Sequence, residues 1–368
     1  IMDISVSPSQ ATNMIVRAIH ADRPTFLWGS PGIGKSDIVQ QITDTILPGD
    51  NIMIDCRLAL MEPTDLRGYP FRNPDTNQME WSPPVDLPSE EFASQYDTIV
   101  LFLDELNSAP PSTQAAAYQL ILNRRVGQYV LPANVRIVCA GNHQTDRGVT
   151  YNMPSPLANR FAHINMDVNF DDFMNFAVNN DVHPDVIGYL NFAKGDLFDF
   201  DPKNAGKAWA SPRSWVRGVS SMLKTPGFDT ADLTEQKAEI AGAVGDGIAA
   251  KFVEHRRVAE FLPGVVDVLA GKVKKLETKL NSEISAKYAL VIGLAYTLNE
   301  TYQGGDKKAF KSEFNHGIRF AYDNFSPEQV ILLFKTIMTT YKIRFNVRTD
   351  MEKDLYKTFS EKYTKYIV

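Results

Sequence analysis

The 368-residue sequence predicts an α/β fold built on a parallel sheet and followed by helical regions, and three stretches carry that prediction. The first is Gly29-Ser30-Pro31-Gly32-Ile33-Gly34-Lys35-Ser36, preceded by the apolar run Thr25-Phe26-Leu27-Trp28 and followed by helical spacing at Ile38, Val39 and Ile42. The second is Asp97 to Glu105, where the consecutive apolar residues Ile99 to Leu103 lead to two carboxylates. The third is Arg136-Ile137-Val138-Cys139-Ala140-Gly141-Asn142, an apolar run closed by a polar residue. Short apolar runs that alternate with helical periodicity are the mark of strands covered on both faces by crossover helices.

Taken in order, the chain begins with helical spacing over Ala11 to Ile19, with Ser9 as the expected N-cap. Thr25 to Trp28 reads as the first buried strand, and the eight residues after it fit G-x-x-x-x-G-K-[ST]. The setting of strand, glycine loop and helix is what gives this match its meaning. Glycines let successive backbone N–H groups curl round an anion, and the helix N-terminus adds its positive end. Lys35 can then reach the outer phosphates of a nucleotide, while the Ser36 hydroxyl can ligate Mg²⁺. The expected nucleotide contacts are Gly29, Pro31, Gly32, Ile33, Gly34, Lys35, Ser36 and Asp37, with Asp104 from the second stretch.

Asn51 to Cys56 reads as a second buried strand. The segment from Met61 to Pro70, and the proline-rich sequence with Trp81 and Leu87-Pro88 that follows, is too polar for a core and too aromatic for a passive linker. Long loops of that kind inside a domain are usually functional. The strand ending at Asp104 presents its carboxylates at the carboxyl edge, where open α/β sheets bind ligands. Asp104 fits the carboxylate that shares Mg²⁺ with Ser36, and Glu105 is placed to orient and deprotonate an attacking water. A bare pair of acids at a helix N-terminus is the plainer alternative, and the phosphate loop argues against it. A helix over Thr113 to Leu122, a hairpin over Arg124 to Pro132 and the strand ending at Asn142 come next. Asn142 is a candidate to bond a γ-phosphate or the lytic water, although Gly-Asn is also turn chemistry. Arg160 follows Pro154 and Pro156 and falls on a short turn at the rim of the sheet. By spacing alone it reads as a surface ion-pair residue.

These residues resemble the AAA+ ATPases, and among them the MoxR-like group. Gly29 to Ser36 is similar to Walker A, and Leu101-Phe102-Leu103-Asp104-Glu105 to Walker B. Asn142 stands where the family carries sensor 1, and Arg160, in Leu-Ala-Asn-Arg-Phe, resembles the arginine finger that acts on the adjacent subunit's nucleotide. Ser211-Pro212-Arg213-Ser214 resembles sensor 2 of the lid, which gives Arg213 a role in cis or in trans. Asp104 to Pro111, with its Asn107-Ser108-Ala109-Pro110 core, and the hairpin ending at Pro132 are similar to MoxR-like sequence. Ser108 departs from it, where that group carries arginine. Pro63-Thr64-Asp65-Leu66 resembles the start of the group's helix insertion. The resemblance implies ATP and Mg²⁺ as cofactors and a ring, most often hexameric. It also implies remodelling or assembly of a protein client, with a von Willebrand factor A protein as a potential partner. It reverses the reading of Arg160 in favour of a finger acting in trans.

The remainder reads as helical, giving an α/β core over 1–165, a helical lid over 166–226 and a helical extension over 227–368. Helical stretches are expected around Phe173, Val186, Ile248, Tyr288 and Val330, with a boundary at Pro226-Gly227-Phe228. Lys272, Lys274, Lys275 and Lys279 read as a helical surface shared with Glu277. Basic and aromatic residues near the C-terminus leave open a second reading, a nucleic-acid-directed motor or loader. A formal charge of −6 argues against an overall polyanion-binding surface. Two cysteines, Cys56 and Cys139, give no disulfide framework and fit a reducing, cytoplasmic setting. No leader and no membrane span are expected. The scattered histidines suggest no zinc site.

Overall fold

In a computed structural model that describes residues 4–146, 151, 153, 155–203, 206–259, 262–276 and 284–367, Ile99 to Leu103 are fully buried, as a strand covered on both faces must be. The strands are β1 (Thr25–Trp28), β2 (Asn51–Arg57), β3 (Tyr69–Arg72), β4 (Met79–Ser82), β5 (Thr98–Asp104), β6 (Arg125–Val126), β7 (Tyr129–Val130), β8 (Val135–Gly141) and β9 (Ala162–Asn165). Five of them form one sheet in the order β2-β5-β8-β1-β9, with every pairing parallel. The helices of this region are α1 (Pro8–His20), α2 (Lys35–Gln41), α3 (Pro63–Arg67), α4 (Glu90–Ala93), α5 (Pro111–Asn123) and α6 (Ser155–Ala158). The fold is the parallel-sheet α/β core that the three stretches predicted, followed by helices.

Side-chain alternation along β5 divides the packing between the two faces. Ile99, Leu101 and Leu103 join a core cluster with Ala117, Leu120 and Ile121 of α5, while Val100 and Phe102 are buried on the opposite face. α1 and α2 pack against each other and against the sheet. The described chain divides into two units, Ile1–Asn169 with Asp201–Asn204, and Phe170–Phe200 with Ala205–Val368.

Several local expectations change. Ser7 caps α1, not Ser9, because Pro8 takes the first helical position and Gln10 returns a bond to the Ser7 backbone in a capping box. β2 is an edge strand, and of its residues only Cys56 is buried, so its apolar run is covered on one side. A fifth strand, β9, joins the sheet beyond the four expected. The proline-rich insertion contains the hairpin β3–β4, which leaves Tyr69, Phe71 and Met79 exposed and sets Arg67 over the Trp81 ring at 5.2 Å. Cys56 and Cys139 are both free and buried, and burial pushes the Cys56 thiol up to about 12 and the Cys139 thiol in the same direction.

The second unit is helical. Its longest helices, Ile284–Gln303 and Lys307–Asn324, share a core in which Leu290, Leu294 and Leu298 meet Phe314, Ile318, Leu333 and Phe334. Trp215 is wholly buried, packs against Tyr189 and Phe252, and donates its indole N–H to the Asp196 carbonyl at 2.9 Å. His255, on the helix Asp246–Ala259, is 2% exposed, and neither ring nitrogen has a hydrogen-bond partner among the described residues. Pro226 to Phe228 lies inside this unit, as a turn with Gly227 at φ +93°. Lys272, Lys274 and Lys275 follow the short helix Val265–Leu269 in irregular chain, not on a helix, and Lys272 pairs with Asp267 at 3.0 Å. Glu277, Lys279 and Pro154 lie outside the described residues. Among the described residues, no helix is long and apolar enough to cross a membrane.

Candidate nucleotide site

β1 ends at Trp28, and the chain turns through Gly29 to Ile33 before α2 begins. Gly34 is the N-cap of α2 at φ +92°, a backbone setting that any side chain would strain. Lys35 is 9% exposed and folds back over the loop. Its Nζ donates to the carbonyls of Gly29 (2.6 Å) and Ser30 (3.0 Å) and to Asn142 Oδ1 (2.8 Å). A buried ammonium is tolerated only when its donors are satisfied. These three acceptors are neutral, so an anionic phosphate would be a stronger partner for the same group. Ser36 is half-buried in the first turn, where Asp37 also stands.

β8 lies between β1 and β5, with Trp28 in register with Gly141 and Leu103 in register with Cys139. The three strand ends therefore meet at one edge, and Asn142 stands between the glycine loop and the two carboxylates. Asp104 Oδ1 accepts the Glu105 backbone N–H at 2.8 Å, and Glu105 adopts φ +56°. Strain of that kind in a non-glycine residue is typical of functional turns. The short 3₁₀ turn Leu106–Ser108 follows, held by bonds from the N–H groups of Ser108 and Ala109 to the Glu105 carbonyl.

Asn107 ties these ends together, a role that the motif comparison did not assign. Its side chain is 2% exposed and donates to the Asn142 carbonyl at 2.8 Å. Gly141 has to lack a side chain, because a Cβ there would meet Asn107 Oδ1 and the Phe26 ring. The available signal was one amide between the buried Leu106 and Ala109. Asp55 was also missed. It lies on β2, whose Arg57 is in register with Asp104. Partial burial and the Asp104 charge hold the Asp55 carboxyl above the usual range, against the pull of Arg57. Hydroxyl and carboxylate oxygens at a site with crowded negative charge suit a hard divalent cation such as Mg²⁺.

Comparison with known proteins identifies this region. Residues 24–161 match the family model described as AAA domain (dynein-related subfamily). These residues form an AAA+ ATPase domain. A stretch of 162 residues, 42% of the chain, is 28% identical to midasin from Giardia intestinalis, and it spans 3% of that protein's length. Among solved structures, a candidate ATPase from Cytophaga hutchinsonii is 14% identical, with 98% of this chain and 91% of that one covered at a TM-score of 0.36. NtrX from Brucella abortus is 12% identical, with 73% and 62% covered at a TM-score of 0.36.

The AAA+ domain brings Lys35, Ser36, Asp104, Glu105 and Asn142 to the carboxyl edge of its sheet, and it sets Arg160 apart from them. Ala162, at the start of β9, is in register with Thr25, and Arg160 precedes it at the amino edge. The strand between the two edges rises about 10 Å. Arg160 is exposed, and its backbone N–H is held by the Leu157 carbonyl at 2.9 Å. A cavity of about 210 Å³ opens there, lined by Asp22, Arg23, Arg124, Arg136 and Arg160. Asp22 faces Arg124 at 3.4 Å and Arg136 at 3.5 Å, so the lining keeps an excess of positive charge. Arg213 belongs to the second unit, exposed in the first turn of a helix where Ser211 and Ser214 bond each other's backbone N–H groups.

Proposed function

We propose that the chain is a ring-forming, Mg²⁺-dependent ATPase of MoxR-like type, which couples hydrolysis to remodelling or assembly of a protein client. The observation that carries this reading is the separation of Arg160 from the phosphate loop by the full height of the sheet. A guanidinium at the amino edge, beside an arginine-lined cavity, is out of reach of its own nucleotide and suited to the triphosphate of a neighbouring copy.

In this reading the loop amides and Lys35 hold the β- and γ-phosphates, and Ser36 and Asp104 hold Mg²⁺, which neutralises phosphate charge when bound. Glu105 takes a proton from the attacking water, which Asn142 positions. Arg160 of the adjacent copy meets the charge that develops on the transferred phosphoryl group, a contribution worth roughly 10³ to 10⁵ in rate. Residues 166–226 act as the lid, where Arg213 serves as sensor 2, and 227–368 as an extension. The exposed aromatics of the β3–β4 hairpin support a client-facing insertion, and a von Willebrand factor A protein is a candidate partner.

Mixing two inactive variants tests the shared site. Lys35→Ala and Arg160→Ala should each lose hydrolysis alone. Together they should regain a measurable fraction of the wild-type rate, because mixed rings contain interfaces with both residues intact. Failure of the mixture to recover, with both variants shown to co-assemble, would overturn the trans assignment.

A further inference from the structure

Four contacts run without a gap from the phosphate loop to the turn that carries Arg160. Lys35 Nζ bonds Asn142 Oδ1 at 2.8 Å. The next residue, His143, stacks on Trp28 with ring centroids 6.3 Å apart and planes 16° apart. Trp28, immediately before Gly29, donates its indole N–H to His163 Nδ1 at 2.9 Å. His163 Nε2 lies 2.7 Å from the carbonyl of Ala158, the last residue of α6 and two residues before Arg160. One proton placement satisfies both ends. Indole is a donor only, so Nδ1 accepts, and Nε2 carries the hydrogen donated to Ala158. Phe26 adds a parallel path, stacked on Trp28 at 4.1 Å and edge-on to Phe161 at 5.5 Å.

We propose that Trp28 and His163 are positioning residues that couple a protomer's own phosphate loop to the placement of its Arg160 on the adjacent copy's nucleotide. The proposal rests on the trans reading of Arg160. The two states are defined at Lys35. With the loop as described, its ammonium is held by Gly29, Ser30 and Asn142. When phosphate oxygens compete for those protons, Asn142 is released and the end of β8 can reset against Trp28. Trp28 passes that change to the imidazole, whose other nitrogen holds the final carbonyl of α6. A half-buried indole N–H needs only an acceptor, and any backbone carbonyl would serve. An imidazole that is itself anchored to the finger's turn makes the two ends one hydrogen-bonded chain. A continuous chain of contacts is not by itself coupling, so the test has to measure coupling.

The experiment uses the full chain with His163→Phe, which keeps a ring and deletes both hydrogen bonds, and Trp28→Phe, which keeps the stack and deletes the donor. Binding of a fluorescent ATP analogue should stay within about twofold of wild type, while turnover falls about tenfold and the Hill coefficient for ATP drops toward one. His163→Gln, which offers both an acceptor and a donor, should recover part of the loss. The double variant His163→Phe/Arg160→Ala should be no slower than Arg160→Ala alone. Wild-type turnover and cooperativity in both phenylalanine variants, or losses that multiply with Arg160→Ala, would overturn the proposal. If one variant fails to fold, the other carries the same expectation. Wild-type turnover in Arg160→Ala by itself sinks the trans reading instead, so the two failures are distinguishable.

Discussion

Lys35 in the α/β unit and His255 in the helical unit are both buried polar side chains, yet their surroundings have little in common. Lys35 donates to Asn142 and to two carbonyls of its own loop, all within 3.0 Å. His255 sits among Tyr189 and Phe192, with neither nitrogen bonded among the described residues. In the first unit a buried polar atom is held ready for an incoming charge, and single residue types are required by chemistry or by backbone geometry. Around His255 in the second, buried atoms fill space, and the imidazole survives because it stays neutral. The difference explains why the first unit is dense in motifs while the second is read mostly from periodicity.

The largest expected effect lies in the first unit. Glu105→Gln should lower hydrolysis by about 10² to 10⁴-fold while the urea midpoint of unfolding stays unchanged. A variant that keeps its rate would move water activation to another group and blur the contrast. The second effect is a pH dependence that arises in the helical unit. Burial lowers the His255 imidazole from 6.5 to about 4, with Asp185 pulling weakly the other way, and His183 is lowered in the same direction. The unfolded chain therefore takes up this proton first as pH falls. The stability contribution is complete above pH 6.5 and is lost between 6.5 and about 4, by roughly 3 kcal/mol at most. Urea unfolding across that range should show the slope, and His255→Leu should flatten it. An unchanged slope in the variant would assign the acid sensitivity to other groups. The smallest effect is Leu294→Met in the core of the second unit, expected to cost less than about 1.5 kcal/mol. A much larger loss would show that this core is as exacting as the phosphate loop.

Legibility followed the same divide. Thr25 to Trp28 and Ile99 to Leu103 were readable because strands buried on both faces must be continuously apolar, and the loop because an anion cradle demands glycine, lysine and a hydroxyl. β9 was not readable. Ala-His-Ile-Asn is a strand only because β1 offers it a partner. Lys272 to Lys275 looked helical by charge spacing, but the chain there is irregular and Lys272 answers Asp267. Asp55, Asn107, Trp28 and His163 gain their roles from neighbours far away in the chain, such as the indole and imidazole that stand 135 positions apart. Nothing local marks such a pairing, and a lone histidine or asparagine in an apolar run has many ordinary explanations.

The state of Cys56 and Cys139 has a practical consequence. Both thiols are buried and held well above their ordinary ionisation range, and thiol-reactive labels attack the thiolate. Neither thiol is an easy target for maleimide dyes while the chain is folded. A cysteine in place of Asp75, at the exposed tip of the β3–β4 hairpin, would be the one handle for a fluorophore. Movement of the insertion during turnover could then be followed optically, without first stripping the chain of its own sulfur.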